Sequence, residues 1–224
     1  MREIVLDTET TGLDPLNGDR LVEIGCIELL NHMETGKYFH RYINPNRSMP
    51  SEAQRVHGLS DEFLRDKPKF EEIAEEFMTF LGSSTLIIHN APFDLGFLNM
   101  ELKKISHQSL SAGVIDTLTM ARKKFPGSPA NLDALCRRFE IDLTNRSKHG
   151  ALLDARLLAE VYLELLGGRQ PDLTLDSSRI ESHKTHQKQL QDEAKFCREH
   201  EATKEELTTH EKFIDSIPNP IWRS

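Results

Sequence analysis

Three β-rich runs lie in the first fifth of the chain, and this pattern limits the fold more than any other feature of the sequence. The runs are Glu3–Thr8, Leu21–Leu30 and Lys37–Ile43, with the turn-like segment Asn31–Gly36 between the last two. Strands joined by short connections tend to pair antiparallel. The sequence therefore predicts an antiparallel three-stranded meander at the start of the domain.

After the meander, helical and strand patterns alternate. Apolar residues in 70–81 recur at the spacing of one helix face, and Pro92 is placed where a helix tolerates proline, in its first turn. The predicted helices are Ser51–His57, Phe70–Leu81, Pro92–Ile105, Ala130–Phe139 and Gly150–Leu166, and the predicted strands are Thr85–His89 and Gly113–Asp116. Five strands with helices between the later ones indicate a three-layer α/β domain with a five-stranded mixed sheet.

Composition changes after the pair Gly167 and Gly168. Of the 31 residues in 170–200, five are Val, Ile, Leu, Met, Phe, Trp or Tyr. Such a stretch buries too little apolar surface to offset the entropy lost on ordering. We therefore predict a globular domain over 1–169, a flexible linker over 170–200 and a separate tail over 201–224.

The tail begins with Thr203 and Glu206 at the spacing of a capping box, which predicts a short helix. The end of the tail carries the apolar residues Phe213, Ile214, Ile217, Ile221 and Trp222. A segment this small cannot bury them alone, so the pattern indicates docking on another protein.

Charge and cysteine content narrow the function classes. The net charge of −8 disfavours a protein that grips long duplex DNA unaided, since such proteins present a basic face. The three cysteines are far apart, which argues against a disulfide framework or a structural zinc site. No signal peptide and no apolar run of membrane-spanning length is visible, so we expect a cytoplasmic protein without a membrane partner.

Asp7 and Glu9 lie two residues apart at the end of the first predicted strand. Alternate strand residues point to one face, so both carboxylates share a side of the sheet, and at its carboxyl end they overhang the edge where ligands bind. Oxygen ligands of this kind suit Mg²⁺. The alternative for an isolated Asp-x-Glu pair is a solvated strand end.

Asp94 and Asp154 fall in the first turns of two predicted helices, and His149 lies on the loop before the second. An acid at a helix start also has a structural explanation in the helix dipole, and a loop histidine is commonly a surface residue. Asp154, however, stands beside the apolar stripe of its helix, which is unusual unless it is paired or bound to metal.

Taken together, four carboxylates and one histidine supply the parts that phosphodiester hydrolysis needs. Two divalent cations roughly 4 Å apart activate the attacking water and stabilise the leaving oxygen. A histidine accepts the proton of that water, because its pKa lies near working pH.

The segments Asp7–Gly12 and His89–Asp94 and the pair His149 and Asp154 resemble, in order and spacing, the three exonuclease motifs of the DEDD superfamily, in its histidine-containing branch. The resemblance covers about residues 1–166 and includes Val56–Leu59. It implies a ribonuclease H-like fold and 3′–5′ exonuclease activity. Two Mg²⁺, for which Mn²⁺ can substitute, would bind Asp7, Glu9, Asp94 and Asp154, and His149 would be the general base.

The resemblance also implies a set of contacts to the 3′-terminal nucleotide. Besides the acids Asp7, Glu9 and Asp154, the matching positions are Thr8, Val56, His57, Asn90 and Phe93. From the residues alone, ordinary core packing explains Val56 and Phe93 equally well.

Within the branch, the sequence is most similar to the proofreading exonucleases of bacterial DNA polymerase III. This implies binding of DNA 3′ ends and of the polymerase's catalytic (alpha) subunit through 201–224, and of a small theta-like accessory subunit. Gln170, Leu173 and Leu175 resemble a short sliding-clamp motif within 170–175. An RNA-trimming exoribonuclease and a non-catalytic polymerase scaffold remain alternatives, because the catalytic set does not separate DNA from RNA.

Overall fold

The computed structural model describes residues 1–144, 148–168 and 202–218. The chain divides into two compact units, Met1–Asp172 and Leu173–Ser224. The predicted linker and the clamp-motif residues Gln170, Leu173 and Leu175 lie outside the described residues. Within the described ranges, no helix combines the length and apolar composition that crossing a bilayer requires.

A five-stranded mixed sheet forms the centre of the first unit, as predicted. Its strands are β1 (Arg2–Thr10), β2 (Leu21–Leu30), β3 (Met33–Tyr42), β4 (Thr85–Ile88) and β5 (Val114–Asp116), in the order β3-β2-β1-β4-β5. β1 to β3 pair antiparallel, which confirms the meander, whereas β4 and β5 join parallel to β1 and to each other.

The turn between β2 and β3 is much shorter than the predicted segment 31–36. Asn31 and His32, with φ of 51° and 65°, make the whole turn, and Leu30 pairs directly with Met33. Positive φ at both central residues suits the right-handed twist of a hairpin. Residues 33–36 therefore belong to β3.

Seven helices and a short 3₁₀ helix, Pro15–Asn17, are described in the first unit. The helices are α1 (Ser51–His57), α2 (Asp61–Leu64), α3 (Phe70–Leu81), α4 (Ala91–Lys104), α5 (Thr117–Lys124), α6 (Leu132–Arg138) and α7 (Ala151–Leu165). α1 and α3 match their predicted bounds. α2 and α5 were not predicted, although Ser60 and Asp116 cap their first turns through side-chain oxygens.

Alternation along β1 separates the two helical layers. Ile4 and Leu6 point into a core shared with α3 and α4, whereas Val5 points into a core shared with α7. All three side chains are fully buried. The sheet is therefore the middle of three layers, as the sequence predicts. Different helices cover its two faces, α3 and α4 on one and α7 on the other.

The described part of the second unit contains α8 (Lys204–Asp215). The predicted capping box is confirmed: the Thr203 hydroxyl oxygen accepts the Glu206 N–H at 3.3 Å, and the Glu206 carboxylate accepts the Thr203 N–H at 2.8 Å. Leu207 and Phe213 are exposed on this helix. Two large apolar side chains in water are what a docking helix would present.

Candidate active site

The carboxyl end of β1 carries Asp7 and Glu9 on the face that α7 covers. In the antiparallel register with β2, Asp7 is opposite Gly25 and Glu9 is opposite Glu23. Glu9 is 9% exposed. β1 places both carboxylates on one side because strand residues alternate between faces.

Asp154 reaches the same place from α7. It is buried at 3% exposure in the first turn of the helix, where its N–H donates to the Gly150 carbonyl at 2.9 Å. Ligand atoms of Glu9, His149 and Asp154 lie within 4.8 Å of one another. α7 packs on β1 and β2, so residues distant in sequence meet at this edge.

Asp94 comes from the opposite helical layer. It lies in the first turn of α4, is 3% exposed, and accepts a hydrogen bond from the Thr8 hydroxyl at 2.6 Å. Thr8 alternates with Asp7 and Glu9, so it faces the α4 side of the sheet. β1 therefore supplies two acids of the site, Asp7 and Glu9, from one face. On its other face, Thr8 contacts a third acid, Asp94.

The turn that delivers Asp94 depends on Asp116, a residue that the sequence patterns did not single out. Asn90, before α4, has φ of 65°, and its N–H donates to the Asp116 carboxylate at 3.0 Å. Partial burial acts to raise the pKa of Asp116, but hydrogen bonds from the Thr119 hydroxyl and from backbone N–H groups outweigh it, so the pKa is lowered. The signal for Asp116 was its position as the last residue of a strand before a helix.

Electrostatics at the site favour a bound cation. Burial raises the pKa of Asp7 well above its usual range, and repulsion from Asp94, Glu9 and Asp154 raises it further. Burial likewise raises the pKa of Asp94 to about 7, although the Thr8 hydroxyl acts to lower it. Clustered buried carboxylates repel one another unless a positive charge is present, and hard divalent cations suit this all-oxygen donor set.

His149 stands at the rim of the cluster. Its side chain is 48% exposed, its Nδ1 lies 3.1 Å from the Asp154 carboxylate, and its backbone N–H donates to the Val56 carbonyl at 3.3 Å. A neutral ring that donates from Nδ1 keeps Nε2 as its basic nitrogen. The structure thus brings together all five residues that the motifs indicated as metal ligands and base.

A cavity of about 420 Å³ opens beside these acids, between the end of β1, the loop after it, α1 and the start of α4. Thr8, Glu9, Val56, His57 and Phe93 line it, as the resemblance implies. The volume falls within the range of small-ligand sites. The lining residues that sequence reasoning missed are Thr10, Thr11, Gly12, Leu13, Pro50, Glu52, Ala53 and Arg55.

The individual positions refine the sequence interpretation of these contacts. Val56 is 47% exposed, so core packing does not explain it, whereas Phe93 both lines the cavity and packs against the core near Phe97. Asn90 is exposed at the start of α4 and does not line the cavity. His57 is buried, and burial lowers its pKa.

A further buried carboxylate, that of Glu23, adjoins the cluster. Glu23, opposite Glu9, is 3% exposed, and its carboxylate is 2.8 Å from His40 Nε2. Like charges opposite each other on two strands are unfavourable, and the His40 contact offsets this. Sequence reasoning passed over Glu23 because only the strand register reveals its neighbours.

Comparison with known proteins agrees with this geometry. A family model described as Exonuclease matches residues 4–162. The chain is 53% identical over 223 residues to DNA polymerase III subunit epsilon of Rickettsia conorii, covering 97% of this chain and 96% of that protein. It is 42% identical over 238 residues to the Escherichia coli K12 subunit of the same name, covering 100% and 98%.

Among solved structures, the nuclease domain of 3′hExo, a DEDDh family member bound to rAMP, superposes with a TM-score of 0.64. The match covers 74% of this chain and 91% of that one at 18% identity. At this identity the likeness concerns the fold, which is the ribonuclease H-like exonuclease fold expected from the motifs.

Proposed function

This chain belongs to the exonuclease family and, within it, to the epsilon subunits of DNA polymerase III, and on that basis we propose that it is a proofreading 3′–5′ exonuclease that removes nucleotides from DNA ends. The observation that carries the proposal is the convergence of Asp7, Glu9, Asp94, Asp154 and His149 beside a nucleotide-sized cavity. Membership of the exonuclease family by itself implies a hydrolase that depends on divalent metal ions.

We assign two Mg²⁺ ions, for which Mn²⁺ can substitute, to the carboxylates of Asp7, Glu9, Asp94 and Asp154. The close placement of Asp7, Glu9, Asp94 and Asp154 supports this assignment, because bound cations would relieve the repulsion among these carboxylates. When bound, the cations would polarise water and offset charge on the phosphate. Asp7 and Glu9 from β1, Asp94 from α4 and Asp154 from α7 would hold the ions.

His149 is the group we assign to proton transfer. Asp154 orients its ring through Nδ1, so Nε2 takes the proton from the attacking water as the bond between the terminal phosphorus and the 3′ oxygen breaks. Its half-exposed position lets the proton pass on to solvent afterwards. The cavity between Thr8, Val56 and Phe93 would hold the terminal nucleotide, with His57 behind it.

Selection of mispaired ends requires no reading of base identity. The cavity lies beside the acids and is lined by one strand end, one loop and two helix segments, and we assign to it one unpaired nucleotide. A mispaired terminus frays at lower free-energy cost than a paired one, so it enters the site more often. Proofreading then follows from the relative cost of unpairing.

The proposed partners are the alpha subunit through 201–224, the sliding clamp through 170–175 and a theta-like subunit. Exposed Leu207 and Phe213 on α8 support the first. Because its relatives are DNA polymerase III subunits, we also propose a cytoplasmic location for this protein. Deleting 201–224 should leave hydrolysis of short single strands unchanged and abolish co-purification with alpha. A truncated chain that still co-purifies would refute the assignment of the tail.

The clamp proposal rests on the motif alone and has its own test. Gln170→Ala combined with Leu173→Ala should weaken clamp binding in an assembly of polymerase, clamp and exonuclease, with Leu175→Ala adding to the loss. Gln187→Ala, outside the motif, is the matched control. Unchanged clamp binding by the double variant would remove this partner.

The activity is tested with purified protein, Mg²⁺ and 3′-labelled DNA ends, matched and mismatched, beside an RNA strand of the same sequence. Faster release from the mismatched DNA end supports proofreading. Preference for RNA would favour the exoribonuclease alternative, and no turnover with an intact fold would favour the non-catalytic scaffold. Asp7→Ala measures any contaminating nuclease.

A further inference from the structure

Gly25 lies in β2 at the point where α7 begins to pack on the sheet. A Cβ at this position would lie 2.3 Å from the Ala151 carbonyl carbon, 2.3 Å from the Leu152 nitrogen and 2.5 Å from the Ala151 oxygen. Contacts this short do not occur in folded proteins, whose interiors are close-packed. The obstructing atoms belong to backbone, so no side-chain rotation relieves the overlap.

Space is the reason for glycine here. Gly25 is absent from the positive-φ glycines of the described residues, and it lies in regular β2 pairing, opposite Asp7 on one side and His40 on the other. An alanine would suit that backbone conformation. The requirement therefore comes from α7, which approaches the strand closely enough to leave no room for a methyl group.

The same point of contact determines where Asp154 and His149 lie. Ala151 begins the helix turn that contains Asp154, and His149 comes two residues before it. Gly25 is the cross-strand partner of Asp7. Any displacement of Ala151 from β2 therefore moves Asp154 and His149 away from the carboxylates of β1.

We propose that Gly25 is a positioning residue of the active site: by lacking a side chain, it sets the distance between α7 and β1 at which Asp154 and His149 meet Asp7 and Glu9. The inference rests on the proposed function, since it concerns the same metal and proton-transfer groups. Gly25 touches neither substrate nor metal and acts only through the first turn of α7.

The test compares Gly25→Ala with Gly113→Ala. Gly113 precedes β5, and a Cβ there would meet Thr85 atoms at 3.7 Å or more, an ordinary contact. Gly25→Ala should weaken Mg²⁺ binding by calorimetry about 10-fold or more and lower kcat about 100-fold, because a displacement near 1 Å has this effect on a catalytic site. KM for a short oligonucleotide should change less. Gly113→Ala should match the wild type in all three.

Two further readouts separate positioning from general damage. Amide NMR spectra of Gly25→Ala should change in α7 and near Asp7 while α3 and α4 keep their shifts. Wild-type Mg²⁺ affinity and kcat in a folded Gly25→Ala would overturn the proposal. So would a loss of kcat that only matches the fraction of unfolded protein.

If Gly25→Ala does not fold, Ala155→Val displaces α7 from one turn further along. Ala155 is fully buried against the sheet with Val5 and Ile27. Normal Mg²⁺ affinity in that variant would overturn the proposal. Wild-type protein without nuclease activity on any 3′ end would instead refute the proposed function, and the Mg²⁺ comparison would still decide the role of Gly25.

Discussion

The acids of the site and its histidine are positioned in different ways. Asp94 and Asp154 are 3% exposed, and Asp7 and Glu9 belong to a central strand, where they pair with Gly25 and Glu23 of β2. His149 has a side chain 48% exposed, on a loop, held by one carboxylate at 3.1 Å and one carbonyl at 3.3 Å. Burial and regular structure hold the acids, whereas His149 lies half exposed on a loop, where its contacts include the Asp154 carboxylate and the Val56 carbonyl.

The difference corresponds to the roles that we propose for these residues. A metal site needs several carboxylates in one fixed geometry, and their mutual repulsion must be opposed by the stability of the surrounding core. A proton acceptor needs contact with water before and after each turnover. Substitution of a carboxylate and substitution of His149 should therefore separate metal binding from proton transfer.

Asp7→Asn should have the largest effect. Removing one carboxylate from the cluster should lower the rate about 10⁴-fold, the equivalent of several kcal/mol of metal catalysis. The metal-free protein should melt no lower than the wild type, since a neutral amide relieves the repulsion that raises the pKa of Asp7. Hydrolysis of mismatched ends and melting in chelator measure the two effects.

Exposed Asp142→Asn is the control for the Asp7 substitution and should behave as wild type. Activity of Asp7→Asn within 10-fold of wild type would contradict the role of the β1 acids. A lower melting temperature in chelator would show instead that the cluster stabilises the metal-free fold.

His149→Gln should have the second-largest effect on the rate. It should lower the rate about 10²- to 10⁴-fold, the range for loss of one general base, and leave Mg²⁺ affinity unchanged. His210→Gln, on exposed α8, is the control. Near-normal turnover, or weakened Mg²⁺ binding, would remove the contrast between buried acids and exposed base.

The contribution of Asp94 to the stability of the metal-free protein should fall between pH 5 and pH 8. Asp94 has a folded-state pKa raised to about 7, so its contribution is fully present below the unfolded pKa and is lost as pH rises through 7. The loss should be on the order of 2–4 kcal/mol, or roughly 5–10 °C in melting temperature.

Mg²⁺ should therefore stabilise the protein more at pH 8 than at pH 5, since protons compete with the cation for the same carboxylates. Calorimetric melting in chelator and in Mg²⁺ at both pH values measures this. Asp94→Asn is the reference, because the lowered pKa values of His57 and His89 act in the opposite direction. A metal-free wild-type melting temperature that rises relative to that of Asp94→Asn from pH 5 to pH 8 would contradict the buried-acid description.

Thr8→Val should have the smallest effect. It keeps the shape of the side chain but removes the hydroxyl that donates to Asp94, so activity or Mg²⁺ affinity should fall about 10-fold. Thr85→Val, on neighbouring β4, is the control and should leave both unchanged. An unaltered Thr8→Val enzyme would show that α4 alone positions Asp94.

Much of the fold was predictable because its signals are local. The spacing of apolar residues predicted α3 from end to end, and the five-stranded mixed sheet followed from the order of strand and helix patterns. The length of the turn at Asn31 and His32 was misjudged because residues 33–36, which include Glu34 and Gly36, extend an exposed edge strand. α2 and α5 were missed because short polar helices lack an apolar face to mark them.

By itself, the sequence determined which residue types stand at one strand end and two helix starts, because spacing along a chain determines which face a side chain occupies. Only the tertiary structure decided that Asp116 holds the turn at Asn90, that Glu23 faces Glu9, and that α7 lies directly on Gly25. These contacts join distant segments, and their geometry depends on register and close packing, which no local pattern encodes.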